Sequence, residues 1–392
     1  MVNNIILYDG DSASSLYPLT LTKPIAELRI GILTIKEKWE KYLQAKASFH
    51  TSEYLAQKFK PNTTSDNYFI HGSLLPDQDI LDDIRSLSID EGLLHNDELI
   101  AYRSTSIKKK TDLKSTSVLK NMPNRILHPE QIFKQNEEEL IKDFRLITDG
   151  RISQKISHTN QTFGEDIFVE EGAYIECSVL NAESGPIYIG KEAKILEGNL
   201  IRGALAMCEK SILKMGGKIY GATTLGPRVK FCGEVNNVVV QANSNKGHAG
   251  YLGNSVIGEW CNFGAGTIAS NMKNNYGEVK LWDYNMDAFR NTGTQFCGMI
   301  MGDHSKTGIN TMFNTGTVVG VGCNVFGAGY PRTFIPSFSW GGRENNVTNK
   351  LSKCLEVASI MMPRRNQELT PADIDILTHI FETSAKNRKW ES

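Results

Sequence analysis

The chain has 392 residues, long enough for two or three domains with separate cores. A formal net charge of −1 leaves no global field to recruit nucleic acid or an acidic membrane surface. No apolar run approaches the ~20 residues of a membrane helix, and the first residues lack the basic start of a signal peptide, so a soluble protein is expected. Seven cysteines, all from Cys177 onward, include no C-x-x-C pair and no ligand-like partnering with histidine. That pattern predicts reduced, buried thiols in a cytoplasmic protein and no metal site. The triplet Lys108-Lys109-Lys110 reads as a solvated loop.

Residues 1–100 read as an α/β domain. An apolar strand, Ile5 to Tyr8, is followed by a polar turn and by a helix predicted from Gly31 to Leu43. A second strand, Tyr68-Phe69-Ile70, ends at His71-Gly72-Ser73. Residues 101–149 read as a linker and a helix. The Lys/Ser/Thr-rich stretch 104–125 is expected to be loop, and the helix runs from Glu130 to Phe144 with Glu137-Glu138-Glu139 on a solvent face.

From residue 150 to 342 a different period takes over. Ile189, Ile195, Ile201, Met207, Leu213, Ile219, Leu225 and Phe231 stand six apart. Neither a helix, with period 3.6, nor a half-buried strand, with period 2, selects six. A parallel β-helix does, because each short strand turns a corner after six residues and identical positions stack between coils. Two further features support it. The residue four places after each apolar one is mostly small or aliphatic, as at Ala193, Ser211, Gly217, Thr223, Val229 and Val235. In addition, 30 of the 34 glycines lie between Gly150 and Gly342, where tight corners are expected to need a positive φ. The pattern resumes around Ile257-Gly258, Phe263-Gly264, Met301-Gly302 and Val319-Gly320. It is interrupted at about 240–254 and 270–297, and function on a regular coil is expected in such excursions. Residues 343–392 read as a helical tail, with one helix over 349–360 and a second begun by Thr370-Pro371. Flat-sided coils bury their faces by association, so a homotrimer with ligand sites shared between chains is expected.

The first excursion carries one histidine, the side chain able to accept a proton near neutrality. Its surroundings, Gly247-His248-Ala249-Gly250-Tyr251-Leu252-Gly253, then Ile257-Gly258, Asn262-Phe263-Gly264-Ala265-Gly266-Thr267-Ile268 and Asn271, resemble the acetyltransferase half of a bifunctional bacterial family. These are the glucosamine-1-phosphate acetyltransferase / N-acetylglucosamine-1-phosphate uridyltransferases. The resemblance implies a left-handed β-helix of hexapeptide repeats that uses acetyl-CoA as co-substrate on an amino-sugar phosphate or nucleotide sugar, in the making of a cell-envelope precursor. It implies that His248 is the general base and that Asn271 helps position substrate and acetyl group. Tyr251 and Asn262 would contact the sugar phosphate, with Arg228 as a counterpart of the family's arginine, and Ala265, Gly266 and Ala328 would contact acetyl-CoA. The chain departs from the family in Met272-Lys273-Asn274 with the long insert to Cys297, in the absence of a lysine between Asn236 and Gln241, and in Ile309 at a cofactor position.

Leu16-Tyr17-Pro18-Leu19-Thr20-Leu21-Thr22-Lys23-Pro24 resembles the segment that follows the glycine-rich loop of sugar-phosphate nucleotidyltransferases. Only Gly10 remains of that loop's glycines, Ser15 replaces its arginine, Ile25 the lysine that follows the family's proline, and Ser73 the strand-end aspartate that holds Mg²⁺. Phosphoryl transfer depends on such cations and metal, so a degenerate domain is expected, with Mg²⁺ needed only if it is active. Gly10, Lys23 and Arg29 are its remaining nucleotide-binding candidates. Two alternatives stay open: nucleotidyl transfer in the first domain with a structural β-helix, and a non-catalytic scaffold that binds sugar nucleotides.

Overall fold

The computed structural model describes the whole chain except residues 1, 3, 120, 344, 345 and 392. Contacts divide it into two units. The first holds Met1–Leu16, Thr22–Arg29 and Leu33–His128; the second holds Tyr17–Leu21, Ile30–Ile32 and Pro129–Ser392.

The first unit is built on a six-stranded mixed sheet. Its strands are β1 (Ile5–Tyr8), β2 (Ala47–His50), β3 (Asn67–His71), β4 (Glu91–His95), β5 (Glu98–Ser104) and β6 (Ser115–Val118), in the order β2-β1-β3-β5-β4-β6. β1 lies between two parallel neighbours, β2 and β3, which is why its residues form an unbroken apolar run. Helix α1 spans Ile35–Leu43, four residues shorter than predicted, because Thr34 caps it. The Thr34 hydroxyl accepts from the Glu37 amide at 3.1 Å, and the Glu37 carboxylate accepts from the Thr34 amide at 2.7 Å. The unit also runs past residue 100. The stretch 104–125, expected as loop, supplies β6, which pairs in parallel with β4. All four β6 residues are exposed, so its polar composition is that of a sheet edge.

In the second unit, a long helix, Pro129–Thr148, precedes the coils. Its acidic face is not all solvent-exposed: Glu139 and Asp143 are buried. Asp143 accepts from the Ile32 amide and Asn136 from the Gly31 amide, each at 2.8 Å. Gly31 has φ +73°, and a Cβ there would lie 2.7 Å from the helix backbone at Glu139.

The hexads form a left-handed parallel β-helix with three faces. Ile201 stacks on Ile219 in the first face, Met207 on Leu225 in the second and Leu213 on Phe231 in the third, each pair 18 residues apart. All eight hexad residues share one buried core. The run stops at Phe231 because the next coils are shorter. Glu234–Val240 and Tyr251–Ile257 each cross from first to second face as one strand, and the corner shrinks to a single left-handed asparagine, Asn237 or Asn254. Glycine does not serve every corner. Between the second and third faces the left-handed position is Glu192, Lys210, Arg228, Asn243, Trp260 or His304.

The second excursion is an antiparallel hairpin, Lys280–Asp283 with Ala288–Asn291. The tail forms helices Leu351–Met361 and Pro371–Thr383, the latter capped by Thr370 with Pro371 in its first turn. All seven cysteines are free, and five of them are buried. Among the described residues no helix is long and apolar enough to cross a membrane.

Candidate active site

His248 stands on the corner that joins the third face to the first, between the strands Asn245–Lys246 and Tyr251–Ile257. A buried amine shapes that corner. Lys246 occupies the inward column of Leu213 and Phe231, is 2% exposed, and donates to the carbonyls of Gly250 at 2.8 Å, His248 at 3.1 Å and Cys232 at 3.3 Å. Three carbonyls match the three donors of an ammonium. Burial nonetheless pushes the Lys246 pKa down to about 8. Because the His248 carbonyl is tied inward, its side chain projects outward and is exposed, with no hydrogen-bond partner among the described residues. The amine of Lys214, from two coils earlier, comes within 3.2 Å of where a Cβ at Gly247 would stand.

The adjoining first face carries the polar groups. Tyr251 lies in register with Glu234, which lies in register with Lys218. The Tyr251 hydroxyl folds over Gly253 and receives hydrogen bonds from the side chains of Asn236 and Asn271. Burial holds its pKa above the usual phenol value, so it remains a donor at neutral pH. Asn271 also donates to the Asn254 side chain at 2.7 Å. Tyr220 donates to Glu234 at 2.8 Å, and burial raises the Tyr220 pKa to about 12. On the third face, Asn262 accepts from the Asn245 amide at 2.7 Å.

The acyl-carrier candidates continue along the same edge. The Gly266 amide donates to the Ala249 carbonyl at 3.2 Å, and the Ala265 carbonyl accepts from Asn310 at 2.7 Å. Ile309, 74% exposed, lies one coil further on, and Ala328 is exposed in the loop after Asn324–Val325. With coils about 4.8 Å apart, the edge from His248 to Ala328 extends over roughly 14 Å.

Arg228 does not join this group. It occupies the left-handed position of the corner between the second and third faces, with its amide bonded to Glu209. The cations brought to His248 are instead Lys214 and Lys246. A lysine in an otherwise apolar inward column was the sequence signal for the second.

In the first unit the corresponding strand ends are closed. Asp9 accepts from the Ile25 amide at 2.9 Å and from Thr51, and burial raises its pKa to about 6. His71 is 1% exposed, its Nδ1 lies 2.9 Å from the Ser73 hydroxyl, and its Nε2 lies 3.5 Å from Glu98. That order imitates a serine–histidine–acid triad. It cannot act as one, because Ser73 is 0% exposed and accepts from Arg125, which also chelates Glu98. Burial, then Arg125, lowers the His71 pKa to about 4. Gly10 abuts the His71 ring, Arg29 pairs with Glu37 at 3.3 Å, and Lys23 is buried, so the three nucleotide-binding candidates form no open cradle. Mg²⁺ does not fit either. Ser73 offers only a buried neutral hydroxyl already bonded to His71 and Arg125, the Asp9 oxygens are already engaged, and no three acidic, histidine or cysteine groups among the described residues are placed to hold a metal.

Fold and site together define a two-part chain, an α/β unit followed by a hexapeptide β-helix. Residues 5–152 match the family described as sugar nucleotidyl transferase. The chain is 39% identical over 90 residues to the bifunctional protein GlmU of Methanocaldococcus jannaschii, covering 23% of this chain and 21% of that protein. It is 35% identical over 94 residues to a bifunctional sugar-1-phosphate nucleotidylyltransferase/acetyltransferase of Sulfurisphaera tokodaii, covering 24% and 23%. The match thus spans under a quarter of the length of these relatives. A UDP-N-acetylglucosamine acyltransferase from Campylobacter jejuni overlays 58% of this chain and 96% of its own at 13% identity, with a TM-score of 0.24, too loose a likeness to bear on function.

Proposed function

We propose that the chain is an acetyl-CoA-dependent N-acetyltransferase of an amino-sugar phosphate or nucleotide sugar, with His248 as general base. The observation that carries this reading is the corner itself: an exposed imidazole held outward by Lys246, beside a face of phenol and amide donors, on the edge that bears Ala265, Gly266 and Ala328. An ammonium cannot attack a thioester, so its proton must leave first. His248 takes it, the amine nitrogen bonds to the thioester carbonyl carbon, and the C–S bond breaks to release CoA, whose thiolate regains that proton from the imidazolium while the second nitrogen proton passes to solvent as the amide forms. Asn271 and Tyr251 supply donors for substrate oxygens and for the oxyanion that forms. Lys214 and Lys218 supply charge for the sugar phosphate, the role assigned from sequence to Arg228.

The exposed edge becomes a water-excluding groove when a second chain packs against it, and flat coil faces favour a trimer that provides three such grooves. The free thiols fit a reducing, cytoplasmic setting. The first unit acts here as a degenerate nucleotidyltransferase domain. The test is CoA release from acetyl-CoA, followed with a panel of amino-sugar phosphates and nucleotide amino sugars. Amine-dependent release supports the reading, and no release with any amine across the panel overturns it.

A further inference from the structure

We infer a second binding site, for the nucleoside-phosphate portion of a ligand, between the inserted hairpin and the C-terminal tail. A cavity of about 400 Å³ opens there, within the range of small-molecule sites. Its walls are rings. Trp282 of the hairpin stacks on Phe334 of the coil at 4.2 Å and 9°, and Phe289 meets Trp282 edge-on at 5.2 Å. Across from them stands Trp390, its indole N–H bonded to Thr348 at 3.0 Å. Among the described residues the buried Trp282 N–H has no partner.

Two cations, Arg332 and Lys389, line the same cavity and are exposed. Arg332 has no ion-pair or hydrogen-bond partner among the described residues. Aromatic walls fixed by stacking suit a planar ring, and adjacent guanidinium and ammonium groups suit phosphate. The Asp287 carboxylate also lines it and can accept from ribose hydroxyls or a base amine. A planar base that carries phosphate meets all of these at once, whereas a purely apolar ligand would leave the cations unused.

Two ligands of the proposed reaction contain that chemistry: the adenosine phosphate end of CoA, and the nucleoside diphosphate of a nucleotide sugar. Arg332 follows Ala328 by four residues in the same loop, a reach of at most about 14 Å along the chain. The inference uses the proposed acetyl transfer only to choose probes, and binding is measured without turnover.

The experiment is calorimetry on the full chain with adenosine 3′,5′-bisphosphate, UDP and inorganic phosphate, repeated on Arg332→Gln and Trp390→Ala. Saturable binding of either nucleotide, weakened about tenfold or more in both variants and absent for inorganic phosphate, supports the site. Binding of the adenosine probe assigns it to CoA, and binding of UDP assigns it to a nucleotide sugar. No nucleotide binding at millimolar concentration overturns the proposal, as does binding unchanged in either variant or matched by inorganic phosphate. A chain that transfers acetyl groups yet binds neither probe here loses this site while keeping its proposed function.

Discussion

Two of the chain's histidines, His71 at the end of a sheet strand and His248 on a corner of the coil, have opposite surroundings. His71 closes a sheet strand inside a network of Ser73, Arg125 and Glu98, and burial lowers its pKa to about 4. His248 sits on a corner of the coil with its ring in solvent and its backbone, not its side chain, tied down. The first arrangement has more of the outward form of a catalytic triad, yet no substrate can reach it. A catalytic arrangement is recognised by access and by free valence as much as by residue types. Residues 5–152, which match the family described as sugar nucleotidyl transferase, have their strand-end polar groups engaged in internal hydrogen bonds.

That contrast can be broken at several points. The largest expected effect is in the wild-type chain. Pyrophosphate exchange with nucleoside triphosphate, sugar phosphate and Mg²⁺ should stay at background while amine-dependent CoA release proceeds; robust exchange would reopen the first unit as an active site.

Next is Lys246→Met, which leaves three corner carbonyls without their donor. It should lower stability by about 3 kcal/mol and reduce kcat for acetyl transfer about tenfold or more, with a smaller change in KM. Denaturant midpoints and steady-state kinetics read the two, and a variant with unchanged kcat would detach Lys246 from the posture of His248.

A comparable effect on stability alone belongs to Asp9. Its folded pKa, about 6, lies above the unfolded carboxylate value, so the folded state binds the extra proton. The stabilisation is therefore fully present below about pH 4 and is lost as pH rises through 6, amounting to about 3 kcal/mol. Urea unfolding of wild type and Asp9→Asn between pH 4 and 7 should show this slope in the first and not in the second. Equal slopes would mean that Asp9 is solvated.

Arg228→Ala should do least. On a different corner from His248, it should leave kcat and KM within about twofold of wild type. A large rise in KM for the sugar phosphate would show that a neighbouring chain brings that corner to the site.

How much of this was legible in the sequence follows from the range of each interaction. The β-helix was, because a coil repeats its inward positions and Ile189 to Phe231 display the period directly. The pattern faltered where Asn237 and Asn254 shorten the corner, a local backbone event with no compositional sign. Strand β6 was missed because an exposed edge strand is composed like a loop. At the candidate site, His248, Tyr251 and the asparagines could be named from one continuous motif. Lys214 and Lys218 could not, since stacking of coils brings them there from about thirty residues away. The hairpin and the aromatic cavity beside it were legible only as an interruption.

Side-by-side kinetics of His248→Ala and His71→Gln, each with the same amino-sugar acceptor and acetyl-CoA, bear most directly on the opposition between the two histidines. Loss of roughly 10²- to 10⁴-fold in kcat for the first, with the second within about threefold of wild type, is the expected result. Near-normal turnover by His248→Ala would contradict it, whatever His71→Gln does.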